Sequence, residues 1–214
     1  MNTDRNILYI HGMGGGGDSR IPRLLQERLA GRGLEVLVRT YDFDPESGFR
    51  QISSWVEEFH PVLVIGESLG AIQAMRVKGV PHLYVSPALG APRFLYRLCW
   101  IPLLPGGSAL LHRIWKVKEG DRQALKFEYP VLKKYKAHWE EALEAVAGGG
   151  YHYAFFGRKD HYKKWGVVRL STWRKLFGDT YQEYEGTHFM EEEFVYSLLV
   201  PKILELTGEG PLDA

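Results

Sequence analysis

Short apolar runs alternate with amphipathic stretches along residues 7–86 of the chain. The runs are four to seven residues long and rich in branched or aromatic side chains, which is typical of strands buried on both faces of a sheet. The stretches between them carry apolar residues at helical spacing. This alternation predicts parallel strands with helices on both sides of the sheet. The predicted strands are 7–10, 34–40, 62–65 and 82–86.

The alternation stops near Ala91 and resumes at Tyr151. Two further strands are predicted at 151–156 and 180–184, with a helix between them and another at the C-terminal end. We therefore expect an α/β fold, namely a doubly wound, mostly parallel sheet of about six strands. Residues 1–214 are expected to form a single domain, with 91–150 as a helical, cap-like insertion within it.

Helix boundaries follow from local signals. Asp18 or Ser19 is suited to cap the first helix, and Ser47 is suited to cap the second. Pro201 lies inside the predicted C-terminal helix, where the missing N–H favours a kink.

The start of the insertion is too apolar for a solvated loop. We expect about half of its large side chains to pack onto the core of the sheet, and the others to line an acyl pocket or to form a lid. The side chains concerned are Phe94, Leu95, Tyr96, Leu98, Trp100, Ile101, Leu103 and Leu104.

Composition limits the class of protein. The 214 residues are 45% hydrophobic, and the net charge of +1 gives no reason to expect nucleic acid or an anionic membrane as a partner. The single cysteine, Cys99, has apolar neighbours and is interpreted as a packing residue, which fits a reducing compartment. The N-terminal stretch resembles no leader, and no run has the roughly 18 apolar residues of a membrane span. A cytoplasmic protein is expected.

The third predicted strand leads into Gly66-Glu67-Ser68-Leu69-Gly70 and then into a helix. A strand, a tight turn and a helix are the context in which G-x-S-x-G presents a nucleophilic serine. The glycines remove the Cβ atoms that would collide where strand and helix approach each other.

Three more loops follow predicted strands and carry polar side chains. They hold His11-Gly12, Asp160 and His188. In an open parallel sheet, ligands bind at the carboxyl ends of the strands, where the strand order reverses. A strand order of 2-1-3-4-5-6 would place the His11-Gly12 loop beside Ser68.

These four motifs resemble those of the α/β-hydrolase family, and the resemblance covers nearly the whole chain. The matching stretches read LYIHGMGGGG, GESLG, FFGRKDHY and EGTHF, while the family's N-terminal hairpin strands have no counterpart here. The resemblance implies a serine hydrolase, namely a carboxylesterase, that acts on a small-molecule acyl substrate through an acyl-enzyme. The apolar start of the insertion predicts that this substrate has an apolar portion. No cofactor is implied.

The same resemblance implies a role for each site residue. Ser68 would be the nucleophile, His188 the general base and Asp160 the acid that orients the imidazole. The backbone N–H groups of Met13 and Leu69 would form the oxyanion hole, supported by the loop at His11 and Gly12. Thioester or small amide cleavage would use the same residues.

Other candidates are weaker. His161 is expected to be an exposed loop side chain, and Glu67 to be solvated or locally paired. Asp121 and Glu119 are the nearest rivals to Asp160, but no predicted strand precedes them. No histidine or cysteine spacing predicts a metal site.

Two alternatives remain open. Gly12, Gly14 and Gly17 match the dinucleotide fingerprint G-x-G-x-x-G, although Asp42 and Asp44 lie further on than the acid that this fingerprint requires. A non-catalytic ligand-binding protein on a hydrolase scaffold is the other, since a fold does not fix a function.

Overall fold

Six parallel strands form one sheet in the computed structural model, which describes residues 5–209. The first four residues, part of the N-terminal stretch interpreted above, lie outside the described residues. The strands are β1 (Arg5–Ile10), β2 (Leu34–Val38), β3 (Leu63–Glu67), β4 (His82–Val85), β5 (His152–Gly157) and β6 (Tyr181–Tyr184).

Helices connect successive strands and cover the sheet. They are α1 (Arg20–Leu29), α2 (Pro45–Phe59), α3 (Gly70–Arg76), α4 (Ala91–Leu98), α5 (Gly107–Ile114), α6 (Tyr129–Ala147), α7 (Leu170–Phe177), α8 (Glu192–Phe194) and α9 (Val200–Thr207). The described residues also include three short helical turns. Two are 3₁₀ turns, Ile101–Leu103 and His161–Lys163, and one is a π-helical turn, Val195–Leu199.

The strand order is β2-β1-β3-β4-β5-β6, which is the order that would place the His11-Gly12 loop beside Ser68. Tyr9 of β1 lies opposite Val38 on one side and Ile65 on the other, so the order reverses between β1 and β3. Because parallel strands end at one edge, the loops after β1 and β3 emerge next to each other. The predicted fold class is confirmed.

Alternate residues of β1 serve opposite faces of the sheet, as the two-residue period of a strand requires. Leu8 and Ile10 belong to the core beneath α2, α3 and α6, and Ile7 and Tyr9 to the core beneath α1 and α9. All four are at most 1% exposed. Burial on both faces explains why the strand sequences are continuous apolar runs.

The prediction for the start of the second helix is wrong. Asp44, not Ser47, is the N-cap, and its carboxylate accepts hydrogen bonds from the backbone N–H groups of Glu46 and Ser47, both at 3.1 Å. Pro45 at the first helical position fixes the start three residues earlier than expected. Ser19 does precede α1, but its hydroxyl accepts from the Gly16 N–H instead of capping the helix.

The C-terminal helix deviates from regular geometry just before Pro201, where the π-helical turn directly precedes α9. Such turns accommodate a residue that lacks its backbone donor. No helix within residues 5–209 combines the length and hydropathy needed to cross a bilayer.

The insertion between β4 and β5 divides into two parts. Helix α6 packs against α2, α3 and α4, and its inward side chains belong to the core. Leu95 and Cys99 are also buried, which confirms the packing interpretation of the cysteine. In contrast, Trp100, Leu103 and Leu104 are 58–64% exposed. One side of the segment therefore packs inward, as expected for about half of this apolar set, and the other side is exposed.

Candidate active site

The loop after β3 holds Ser68 in a left-handed backbone conformation, with φ of +50°. This region is costly for a residue with a Cβ atom, and such strain persists where the surroundings fix it. A Cβ atom on Gly66 would lie 2.8 Å from Cα of Ala71, and one on Gly70 would collide with the carbonyl oxygen of His11. The two glycines therefore allow β3, α3 and the end of β1 to approach one another.

Ser68, His188 and Asp160 form a continuous hydrogen-bonded chain. The Ser68 hydroxyl lies 2.9 Å from Nε2 of His188, and Nδ1 of His188 lies 2.7 Å from Oδ2 of Asp160. His188 and Asp160 are 2% and 4% exposed, respectively. Burial keeps water from competing for these hydrogen bonds. Three residues up to 120 positions apart thus meet at one edge of the sheet.

The acid and the histidine are held by loops that follow neighbouring strands. Oδ1 of Asp160 accepts a hydrogen bond of 2.8 Å from the backbone N–H of Tyr162, which leaves Oδ2 for the imidazole. The Tyr162 ring also packs edge-on against His188, with 4.5 Å between centroids. Gly157, at the end of β5, lies directly under the backbone of Thr187.

The loop after β1 lies against Ser68. A Cβ atom on Gly12 would be only 2.9 Å from Cβ of Ser68. His11 is fully buried, its Nδ1 lies 2.8 Å from the Gly12 carbonyl oxygen, and its ring stacks on Tyr41 at 4.4 Å. Burial lowers the pKa of His11 to about 4, so the ring is neutral and braces the loop.

The glycines of this loop are already engaged by protein groups. The Gly14 N–H donates to the Gln123 side chain at 3.2 Å, and the Gly17 N–H donates to the Thr40 hydroxyl at 3.0 Å. Added Cβ atoms on Gly16 and Gly17 would collide with Asp121. A pyrophosphate needs free N–H groups in such a loop, and those of Gly14 and Gly17 are occupied, so this arrangement disfavours dinucleotide binding.

Glu67, next to Ser68, accepts a hydrogen bond of 2.9 Å from the hydroxyl of Tyr9. Burial raises the pKa of Glu67, and Tyr9 stabilises its charged form. Local pairing was one of the two expectations for this residue. His161 is exposed, also as expected.

A cavity of about 590 Å³ is lined by both Ser68 and His188. Most of its other lining side chains are apolar, and several come from the insertion: Phe94, Leu95, Trp115, Val117 and Leu125. The charged residues in its lining are Glu67, Arg20, Lys116, Lys118 and Arg122. The arrangement suits a ligand with an apolar body and a polar reacting centre.

Several supporting residues were not found from the sequence. Tyr41 donates a hydrogen bond to the His11 carbonyl oxygen at 2.7 Å, and Arg20 donates to the carbonyl oxygen of Phe189 at 3.2 Å. Tyr41 follows β2 at the same edge of the sheet, a position that could have indicated it. Gln123 and Arg20 carry no comparable signal. Within the described residues, no group of histidine, cysteine and acidic side chains could hold a metal ion.

Solved structures with a similar fold include hydrolases. Est1E from Butyrivibrio proteoclasticus, described with bound ferulic acid, is 16% identical with a TM-score of 0.66, covering 98% of this chain and 92% of its own. A carboxylesterase of the thaumarchaeon Nitrososphaera gargenis is 14% identical with a TM-score of 0.58, covering 97% and 93%. The metagenome-derived lipolytic enzymes LipS and LipT are represented at 16% identity and a TM-score of 0.65, covering 97% and 95%.

A search of curated proteins found no match. The low identity to the solved structures shows a common fold only. The sequence model of the alpha/beta hydrolase family, however, matches residues 7–201, which is most of the chain. This chain therefore belongs to the alpha/beta hydrolase family.

Proposed function

We propose that the protein is a serine hydrolase that cleaves a carboxylic ester through a covalent acyl-enzyme on Ser68. The observation that carries the proposal is the hydrogen-bonded chain from Ser68 through His188 to Asp160, at 2.9 and 2.7 Å. Family membership and esterases of the same fold support hydrolysis as the reaction class.

In the first step His188 accepts the hydroxyl proton of Ser68 at Nε2 while Oγ attacks the carbonyl carbon of the substrate. The tetrahedral intermediate collapses as His188 returns this proton to the leaving alcohol. A water molecule then repeats the sequence on the acyl-enzyme, which releases the acid and restores Ser68. Asp160 holds the imidazole in the required tautomer and stabilises the imidazolium.

The backbone N–H groups of Met13 and Leu69 are the proposed oxyanion donors. Both residues line the cavity together with Ser68. Neither N–H has a hydrogen-bond partner among residues 5–209. Free, fixed donors beside the nucleophile support this role, since a donor already used within the protein could not bind the oxyanion.

The substrate is proposed to carry an apolar acyl or alcohol portion. Phe94, Leu95 and Trp115 give the cavity an apolar wall, and they support a cap-like role for part of 91–150. The same chemistry would cleave a thioester or a small amide. An activity screen over esters, thioesters and amides would identify the leaving group.

A fluorophosphonate probe tests the nucleophile. The native chain should be labelled covalently, and Ser68→Ala should lose both labelling and ester hydrolysis. The melting temperature of this variant should stay nearly unchanged, because the hydroxyl faces the cavity and not the core. Ser86→Ala, at a second serine with positive φ, is the matched control and should keep its labelling. An unlabelled but folded native chain would favour a non-catalytic binding protein and refute the proposal.

The chain-length profile of p-nitrophenyl esters tests the apolar portion. Medium-length acyl chains should be hydrolysed faster than acetate, because each buried CH₂ contributes about 0.8 kcal/mol. Leu95→Ala should weaken this preference by removing part of the wall. A flat or falling profile in the native chain would contradict an apolar acyl site while leaving the serine mechanism intact.

A further inference from the structure

The exposed apolar side chains of this protein are concentrated in one segment. Eight large hydrophobic residues are exposed in the described part of the chain, and five of them lie between positions 100 and 114. They are Trp100, Leu103, Leu104, Leu110 and Ile114, at 52–64% exposure. We refer to these five residues as the insertion face. A cluster of this kind on a water-soluble surface marks an interaction site.

The five residues are connected through local structure. The 3₁₀ turn Ile101–Leu103 leads directly into α5, where the Gly107 N–H donates to the Leu104 carbonyl oxygen at 2.9 Å. Leu110 and Ile114 are four residues apart and therefore lie on one side of α5. Gly107 packs against the backbone of Ile101, which brings the start of α5 next to the turn.

The charged side chains of the segment that carries the insertion face have one sign. No aspartate or glutamate occurs between Glu67 and Glu119. The same stretch carries five exposed cations between residues 91 and 118, namely Arg93, Arg97, Arg113, Lys116 and Lys118. None of their side chains has an ion pair or hydrogen bond with another residue in the range 5–209. The net charge of +1 conceals this local excess because acidic residues elsewhere balance it.

Cationic side chains and an aromatic side chain share the exposed side of α4 and its extension. Arg93, Arg97 and Trp100 follow one another at intervals of four and three residues, so they share one side of the helix and its extension. Tryptophan and leucine beside arginine and lysine are the combination that enters the headgroup region of a bilayer, with the apolar groups inserted and the cations on lipid phosphates.

We propose that the insertion face docks the protein onto an anionic lipid bilayer. The surrounding cations complement the negative surface potential, and the five apolar side chains insert below the headgroups. A second copy of this chain is disfavoured as the occupant, because two such surfaces would bring ten unpaired cations together. Nucleic acid would use the cations but would leave the leucines in water.

Docking would also place the cavity at the lipid surface. Phe94, Trp115, Lys116 and Lys118 flank the insertion face along the chain and line the cavity. An ester with an apolar tail could therefore pass from the bilayer to Ser68 without crossing bulk water. Docking does not depend on the proposed activity, since binding is measured without turnover.

Vesicle co-sedimentation of the full chain tests the proposal. Vesicles of phosphatidylcholine with 30% phosphatidylglycerol should pellet the protein, and vesicles of phosphatidylcholine alone should bind it much more weakly. The triple variant Arg93→Gln/Arg97→Gln/Arg113→Gln should lower the partition coefficient by about 100-fold, or about fivefold for each cation. Salt at 0.5 M should reduce binding by the native chain, because it screens exposed charges.

A second variant addresses the apolar part. Leu103→Ser/Leu104→Ser/Leu110→Ser should weaken binding to the anionic vesicles by about tenfold for each leucine that inserts. The matched control is Trp165→Ser, which removes a side chain that is 73% exposed outside the segment and should leave binding unchanged. All variants should melt as the native chain does, since each altered side chain is exposed.

Three results would overturn the proposal. They are equal binding to neutral and anionic vesicles, no binding by the folded native chain, and a dimer in solution that the leucine variant converts to monomers. The two proposals can fail separately. Full esterase activity without vesicle binding would refute only the docking proposal, and vesicle binding without esterase activity would refute only the proposed function.

Discussion

In the proposed mechanism the chemistry depends on His188, and the neighbours of this residue fix its ring. Nδ1 of His188 lies 2.7 Å from Oδ2 of Asp160, and Nε2 lies 2.9 Å from Oγ of Ser68. The ring is therefore held from both sides. Tyr162 supports this arrangement twice, through its backbone N–H on Asp160 and its ring on His188. Under the proposed mechanism, the imidazole would therefore need no rearrangement before it accepts the Ser68 proton.

The variant Asp160→Asn tests whether residue 160 orients the His188 imidazole or only fills space. The asparagine keeps the size of the side chain and can still accept the Tyr162 N–H, but its amide group favours the wrong tautomer of His188. Under the proposed mechanism kcat for ester hydrolysis should fall about 10⁴-fold. Steady-state kinetics and a thermal melt check this, with Asp179→Asn, an exposed carboxylate paired with Arg174, as the control. A loss below tenfold would contradict the role of Asp160.

Helix α2 shows how one side chain joins two elements. Asp44 caps α2 through Oδ1 and accepts a hydrogen bond from Lys134 of α6 at 2.7 Å through Oδ2. Partial burial alone would raise the pKa of Asp44, but the hydrogen bonds from Lys134 and the helix N–H groups outweigh it and lower the pKa. The carboxylate therefore stabilises the fold in its charged form.

Asp44→Ala should lower the free energy of unfolding by about 1 kcal/mol, within the usual range for an N-cap. Ser47→Ala, at the position that the sequence favoured, should change it by less than about 0.5 kcal/mol. Because the folded-state pKa of Asp44 is depressed, its contribution is present above the unfolded pKa of about 3.9 and is lost as the pH falls through the folded value. Urea titrations at pH 7 and pH 3.5 measure both effects.

Buried neutral histidines are distributed through the protein far from the site. Burial lowers the pKa of His82 to about 3, with His152 adding to the shift, and lowers the pKa of His152 itself to about 4. Burial also lowers the pKa of His138 to about 3, and nearby Arg76 contributes. Each ring is therefore uncharged in the folded protein at neutral pH.

The stability of the native chain should consequently fall as the pH drops below 6.5. An unfolded histidine binds a proton near pH 6.5 while these folded ones do not, so the unfolded state gains protons first and is favoured. Each such residue adds up to about 1.4 kcal/mol per pH unit to the slope between the two pKa values. His82→Gln should reduce the slope measured by thermal melts from pH 7.5 to 4.5. A slope unchanged in that variant would contradict the assignment, and exposed His112→Gln serves as the comparison.

Local sequence was sufficient for the strands and for the elbow at Ser68. Each of these depends on neighbours along the chain: a buried strand needs a short apolar run, and a sharp strand-to-helix turn needs Gly66 and Gly70. The cap of α2 was missed because Ser47 and Asp44 are both good capping residues. Only Pro45 distinguishes them, by fixing the first turn.

Contacts between distant segments could not be predicted from the hydrophobic pattern or from local motifs. The tethering of the glycine loop by Gln123 and the pairing of Asp44 with Lys134 join residues 90 to 109 positions apart. The insertion face is a further case, since periodicity marks a residue as apolar but not whether a partner covers it. The sequence thus specifies local backbone conformation through short-range sterics, and it gives the chemical type of each side chain directly. The packing of the folded chain alone fixes which side chains meet and which remain exposed.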